Sequence, residues 1–365
     1  MSLEAVKTEP KIFEKSKNYL LYSLSFFVWP FGSLIMALRK TEKKEAITIF
    51  FLYSIFFGFC FIIPGNQDNP ADSVSYADTF HNYYLHHPTF SQLLGLFYNS
   101  ENGYTDVYQP LMTWFISFFT GDSRWLFMSY AVIFGYFMTK NFWLLLSQIK
   151  GRTTILMILF LFSFYLLNPI WNINGVRMWT AAQIFLFGTL QYFLKGNKSG
   201  LAWCFLSIFV HFSFVIYFAL VIGYLIIPKN IQVFFIFYIA TLTISEINYA
   251  GLSQGLSFLP DIFLRKIEIY TNEQYAVAIS KQLVNYTWHI RYSAYVSRWV
   301  IYIWVIMIYL RRSKWQFLGP VTENLFLFGL FVGGWANLAS LFPSGDRIPV
   351  LVGRPCMIGA CRQRQ

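Results

Sequence analysis

Residues 64–107, PGNQDNPADSVSYADTFHNYYLHHPTFSQLLGLFYNSENGYTDV, hold no lysine or arginine and carry Asp68, Asp72, Asp78, Glu101 and Asp106. Long apolar runs recur from Asn18 nearly to Phe342, each close to the roughly 20 residues that a helix needs to cross the hydrocarbon of a bilayer. Basic loops stay on the cytoplasmic side and loops without Lys or Arg are exported. The acidic stretch therefore faces outward, and its orientation sets that of every later run.

Composition agrees with a bilayer as the solvent. The chain is 56% hydrophobic, 21% aromatic and 12% charged, about half the charged content usual for a soluble domain. The expected fold is an all-α polytopic transmembrane helical bundle with about nine to eleven spans plus re-entrant or half-inserted helices. The net charge of +11 does not point to nucleic acid, because the basic residues sit in separate short loops. They are Lys7, Lys11, Lys15 and Lys17; Arg39, Lys40, Lys43 and Lys44; Lys150 and Arg152; Lys195 and Lys198; and Arg311, Arg312 and Lys314. Clusters divided by spans form no continuous phosphate-tracking face.

From the outer stretch, residues 125–149 lead back to Lys150 and Arg152, 153–168 go out and 177–194 return. Residues 200–227 are too long for one comfortable span and short for two, so they read as a tight helical pair turning near His211, Phe212 and Ser213. Residues 231–247 go out, 293–310 descend to Arg311 and 322–342 exit again. Two stretches fit less well. Residues 18–38 are broken by Trp29-Pro30-Phe31-Gly32 and read as either a span or a re-entrant hairpin, while 108–120 are short enough for a half-inserted helix. The organisation expected is a cytoplasmic segment 1–17, one membrane domain 18–347 with outer loops 64–107 and 248–292, and an atypical tail 348–365. Cys60, Cys204, Cys356 and Cys361 have neither metal-ligand nor disulfide-framework spacing, and no cleavable signal precedes the first run.

Charge at the edge of a span is costly and marks candidate sites. Arg177 follows the polar turn Asn168-Pro169-Ile170-Trp171-Asn172-Ile173-Asn174-Gly175 and opens a helix on the outer side. A guanidinium at a helix N-terminus suits a phosphate or pyrophosphate; snorkelling to lipid headgroups is the plainer alternative. Arg291, Tyr295, Arg298 and Tyr302 fall on one helical face. There Arg298 needs a cavity, an anion or an acidic partner such as Glu246 or Glu323. His211 could take a proton from a hydroxyl or donate to a phosphate, or serve structure alone. Acids interleaved with Tyr76, Tyr83, Tyr84, Tyr98 and Tyr104 suit carbohydrate, with solvated loop charge as the alternative. His81, His86 and His87 give only a weak metal signal.

Taken in order, Asp72-Ser73-Val74-Ser75-Tyr76 with Phe80, Glu101-Asn102-Gly103-Tyr104, Asn172-Ile173-Asn174-Gly175-Val176-Arg177, Val210-His211-Phe212-Ser213 and Gly345-Asp346-Arg347 resemble the pattern of EpsG-like, Wzy-type polysaccharide polymerases. Such enzymes serve O-antigen, capsule or exopolysaccharide synthesis. The resemblance spans about residues 50–347 and implies an inner-membrane glycosyltransferase joining undecaprenyl-pyrophosphate-linked oligosaccharide repeat units on the outer face. It implies pyrophosphate binding by Arg177 with Arg291, Arg298 or Arg347, deprotonation of the acceptor by Asp72 or His211, and sugar positioning by Glu101 and Tyr104. No metal or other cofactor is expected. The partners implied are the lipid-linked oligosaccharide, membrane lipid and a chain-length regulator protein. Family members continue through another helix after the Asp-Arg element, whereas this sequence ends in the polar run Arg354 to Gln365, as a truncated or frame-shifted terminus would. A ligase or single-sugar transferase of the same face, and a flippase for the same glycolipid, are the competing functions.

Overall fold

The structure, a computed structural model, describes residues 19–41, 44–61, 72–98, 106–148, 155–167, 169–244, 288–311 and 320–339. All regular structure among them is helical. The chain divides into two compact units, one of Met1–Leu146, Ile170–Ile184 and Phe209–Phe212, the other of Ser147–Pro169, Phe185–Ile208 and Ser213–Gln365.

The first unit begins with α1 (Tyr19–Val28) and α2 (Pro30–Arg39), each ten residues. A residue before proline is pushed out of the helical region, and Trp29 accordingly takes φ −148° and ψ 85°. Pro30 then starts α2, where a missing N–H costs nothing. The bend brings Ser25 Oγ within 3.1 Å of Ser33 Oγ, positions that would lie about 12 Å apart along a straight helix. The stretch is therefore two short helices joined at a sharp bend and not one straight helix.

Next come α3 (Lys44–Phe59), α4 (Asp72–His86), α5 (Phe90–Tyr98), α6 (Tyr108–Ser117) and α7 (Ser123–Leu146). The pairing of α3 with α7 is the most extensive in the unit, and small residues on both helices allow it. Ser54 and Gly58 on α3 meet Ala131 and Gly135 on α7; a Cβ at Gly58 would lie 2.8 Å from the Phe127 carbonyl oxygen, and one at Gly135 2.6 Å from Ser54 Cβ. Two small-xxx-small pairs thus face each other. The acidic stretch is helical rather than open loop where it is described. On α4, Ser73, Tyr76 and Phe80 are buried, an i, i+3, i+7 stripe packed with Leu126, Phe127, Tyr130 and Val176. The link from α4 to α5 is held over α6, where Trp114 Nε1 donates to the Pro88 carbonyl at 2.7 Å. The ten-residue α6 matches the half-length helix expected there.

The second unit opens with α8 (Ile155–Leu167), while α9 (Val176–Lys195) begins in the first unit and ends in the second. Then come α10 (Gly200–Val210), whose last two residues belong to the first unit, and α11 (Phe214–Ile226); within the second unit the two fold back on each other, with the Phe205 and Phe218 rings 5.6 Å apart. This is the expected helical pair. It is followed by α12 (Ile231–Leu242), α13 (Trp288–Leu310) and α14 (Pro320–Ala339). Asn337 on α14 donates to Tyr238 O at 3.2 Å and Thr241 Oγ1 at 3.1 Å on α12. Tyr224 OH on α11 donates to the Asn324 carbonyl at 2.8 Å.

Among the described residues no helix is both long and apolar enough to cross a membrane. The most apolar helices are short, α8 and α11 having 13 residues and α12 having 12. The long ones carry buried polar side chains: Thr139 and Asn141 on α7, Thr180, Gln183 and Thr189 on α9, Thr322 and Asn337 on α14. Asn141 Nδ2 donates to both the carbonyl and the side-chain oxygen of Gln183, each at 2.9 Å.

Gly58→Val should break the α3–α7 approach, because the neighbour at its Cβ is backbone oxygen and cannot swing away. Overpacking of this kind costs about 1–3 kcal/mol, to be read as a lower melting temperature of the purified protein.

Candidate functional site

The polar turn before α9 is a 3-10 helix, Ile170–Asn174, anchored by the buried Ile170 and Ile173. Gly175 follows, and its lack of a side chain is required by packing: a Cβ there would stand 2.5 Å from Trp179 Cδ1. Trp179 N–H closes the first turn onto the Gly175 carbonyl at 3.0 Å. Val176 is wholly buried, so it locks the start of α9 into the Tyr76 cluster and fixes the backbone from which Arg177 projects.

Arg177 reaches two acceptors. Its Nε donates to Tyr76 OH at 3.2 Å and one terminal nitrogen donates to Asp106 Oδ2 at 2.9 Å. The guanidinium also lies over the Tyr76 ring, 5.9 Å from its centroid. The Asp106 side chain is 5% exposed and that of Arg177 36%, so the pair is a buried anion held by a half-open cation. Burial raises the Tyr76 phenol above its ordinary range, with Arg177 opposing, and the hydroxyl stays neutral at physiological pH.

Asp106 has a second task. Its Oδ1 accepts the Phe212 N–H at 2.7 Å, and the adjoining Val107 N–H donates to the Phe209 carbonyl at 3.0 Å. These bonds pin the turn that carries the half-buried His211. One carboxylate thus ties the start of α9 to the α10–α11 turn within the first unit.

The expected site residues are partly gathered by this arrangement. Arg177 and the backbone of the turn that carries His211 are both bonded to Asp106. Asp72 lies exposed at the start of α4, one turn before Tyr76, within electrostatic reach of both Tyr76 and Arg177. Arg298 belongs to the second unit, on α13, which also contains Arg291, whose side chain is not described. Arg298 is half-buried, and its Nε is buried with no hydrogen-bond partner among the described residues. Of the acids suggested for it, Glu323 is exposed with no ion pair among the described residues, and Glu246 lies outside them. Glu101, Tyr104 and Arg347 also lie outside the described residues.

Reading the sequence missed the role of Asp106. The one available signal was an acid directly before the apolar helix α6, in a stretch where several other acids offered themselves. Tyr76 appeared only as one of several tyrosines suited to sugar.

Residues 49–352 match the model of the EpsG family. The chain belongs to the EpsG family, a family associated with polysaccharide polymerisation. No curated protein and no solved structure matches.

Tyr76→Phe removes the acceptor of Arg177 Nε and keeps the ring in its cluster. The loss should be about 1.5 kcal/mol, the lower end for a hydrogen bond to a charged group because Arg177 is part exposed, seen as a drop in unfolding midpoint.

Proposed function

We propose that this chain is a membrane-embedded glycosyltransferase that polymerises undecaprenyl-pyrophosphate-linked oligosaccharide repeat units on the outer face of the bacterial inner membrane. Embedding is supported by apolar side chains standing outward where water would oppose them. On α8, Ile155, Ile158, Leu159 and Phe162 are 73%, 51%, 50% and 57% exposed. On α13, Val296, Trp299, Ile303 and Leu310 form a similar stripe. Several polar residues within α7, α9 and α14, among them Asn141, Gln183 and Asn337, are buried against protein rather than turned outward.

The observation that carries the reaction is Arg177, presented at the start of α9 beside the His211 turn. Two of its five N–H donors are engaged by Tyr76 and Asp106, which leaves the half-exposed edge to meet a pyrophosphate. In the reaction a hydroxyl oxygen of one repeat unit attacks the anomeric carbon of the chain on the other carrier. The bond from that carbon to the pyrophosphate oxygen breaks, and undecaprenyl pyrophosphate leaves with the electron pair. Arg177 stabilises the charge that grows on the leaving oxygen. The hydroxyl proton passes to Asp72, within electrostatic reach of Arg177, or to His211, on the turn that Asp106 holds. Arg291, Arg298 and Arg347 add positive charge for the carrier lipid, while Glu101 and Tyr104 orient sugars.

Arg177→Ala should lower polymer formation by about 100-fold or more, in the range found when one transition-state charge donor is removed. The readout is the ladder of lipid-linked glycans, with single repeat units still reaching the outer leaflet. Accumulation of those units on the inner side would make the chain a flippase instead, and addition of single units only would make it a simple transferase.

A further inference from the structure

Asp106 is the most buried polar group of the site and takes no direct part in that reaction. The structure assigns to Asp106 the role of resident counter-ion to Arg177, a positioning residue that limits how tightly the arginine holds pyrophosphate. This rests on the proposed function, because it presupposes that Arg177 receives the pyrophosphate.

The geometry supplies the reason. Oδ2 sits 2.9 Å from the guanidinium and Oδ1 2.7 Å from the Phe212 N–H. The carboxylate therefore cannot follow Arg177 if the arginine turns toward a ligand without releasing the His211 turn. An anion arriving at the open edge of Arg177 meets a cation already partly neutralised and shares it with a fixed negative charge. Like charges a few ångströms apart repel, more so where water is largely excluded. Such an arrangement weakens ground-state binding of a dianionic group and favours its departure. A polymerase needs this, since each round ends with a pyrophosphate lipid that must vacate the site before the next carrier enters. Tyr76 contributes orientation but no charge, so it should not share in this effect.

The test uses the purified full-length chain in lipid nanodiscs, with binding of inorganic pyrophosphate measured by titration and polymer formation measured in parallel. Asp106→Asn keeps an acceptor for Phe212 and removes the charge; Asp106→Ser removes the charge with a smaller side chain, too short to hold the Phe212 N–H, should the amide variant fail to fold. Either should tighten pyrophosphate binding about tenfold, equivalent to about 1.4 kcal/mol, and lower the turnover rate. Tyr76→Phe removes no charge and should leave the dissociation constant within about twofold of the parent, well under the tenfold step that about 1.4 kcal/mol makes. Damage to the fold alone weakens binding and cannot produce tightening. Unchanged or weaker binding in a folded Asp106 variant, with Arg177→Ala abolishing both binding and polymer, overturns the counter-ion role and leaves the proposed function standing. Full polymer formation by Arg177→Ala overturns the proposed function itself.

Discussion

The carboxylate of Asp106 organises the first unit around a charge that cannot stand alone. A buried anion without partners would cost several kcal/mol, so the elements that supply its partners must arrive together. Arg177 comes from the start of α9 and the Phe212 N–H from the turn after α10, segments far apart in the chain. Tyr76 and Val176 hold α4 and α9 in one apolar cluster, which sets the distance from which Arg177 reaches inward. The small-residue approach of α3 and α7 serves the same end, because α7 carries Leu126, Phe127 and Tyr130, the floor of that cluster.

Much of this helical plan could be read from residue patterns. The break at Trp29-Pro30, the short helix after Asp106 and the turn at His211 all follow from proline chemistry or from run length, and all are observed. The start of α4 was harder to see. Its buried stripe consists of a serine, a tyrosine and a phenylalanine among acids and histidines, so neither hydropathy nor charge announces a packed helix. The reciprocal small residues of α3 and α7 sit within runs so rich in phenylalanine that the small positions are easily passed over.

For the site, Arg177 and His211 stood out because isolated polar groups in apolar sequence are conspicuous. Asp106 did not, because it was one acid among five in a stretch without basic residues. Sequence spacing cannot say which carboxylate folds inward; that depends on which backbone N–H groups and cations the tertiary structure brings to it. Family membership over residues 49–352 associates the chain with polysaccharide polymerisation, and the ion pair of Arg177 and Asp106 is the centre of the site proposed for it.

The amide pair of Asn141 and Gln183 bears on how such a chain is made. Asn141 precedes its partner by 42 residues, and at an elongation rate of about 5–20 residues per second it leaves the ribosome seconds before Gln183 does. Until then the lower end of α7 has an amide with no α9 to receive it. On the proposed membrane placement, that delay would favour holding α7 beside the insertion machinery, and pairing with α9 would be the event that releases both. The order of synthesis and the order of packing would then be coupled by a single pair of side chains.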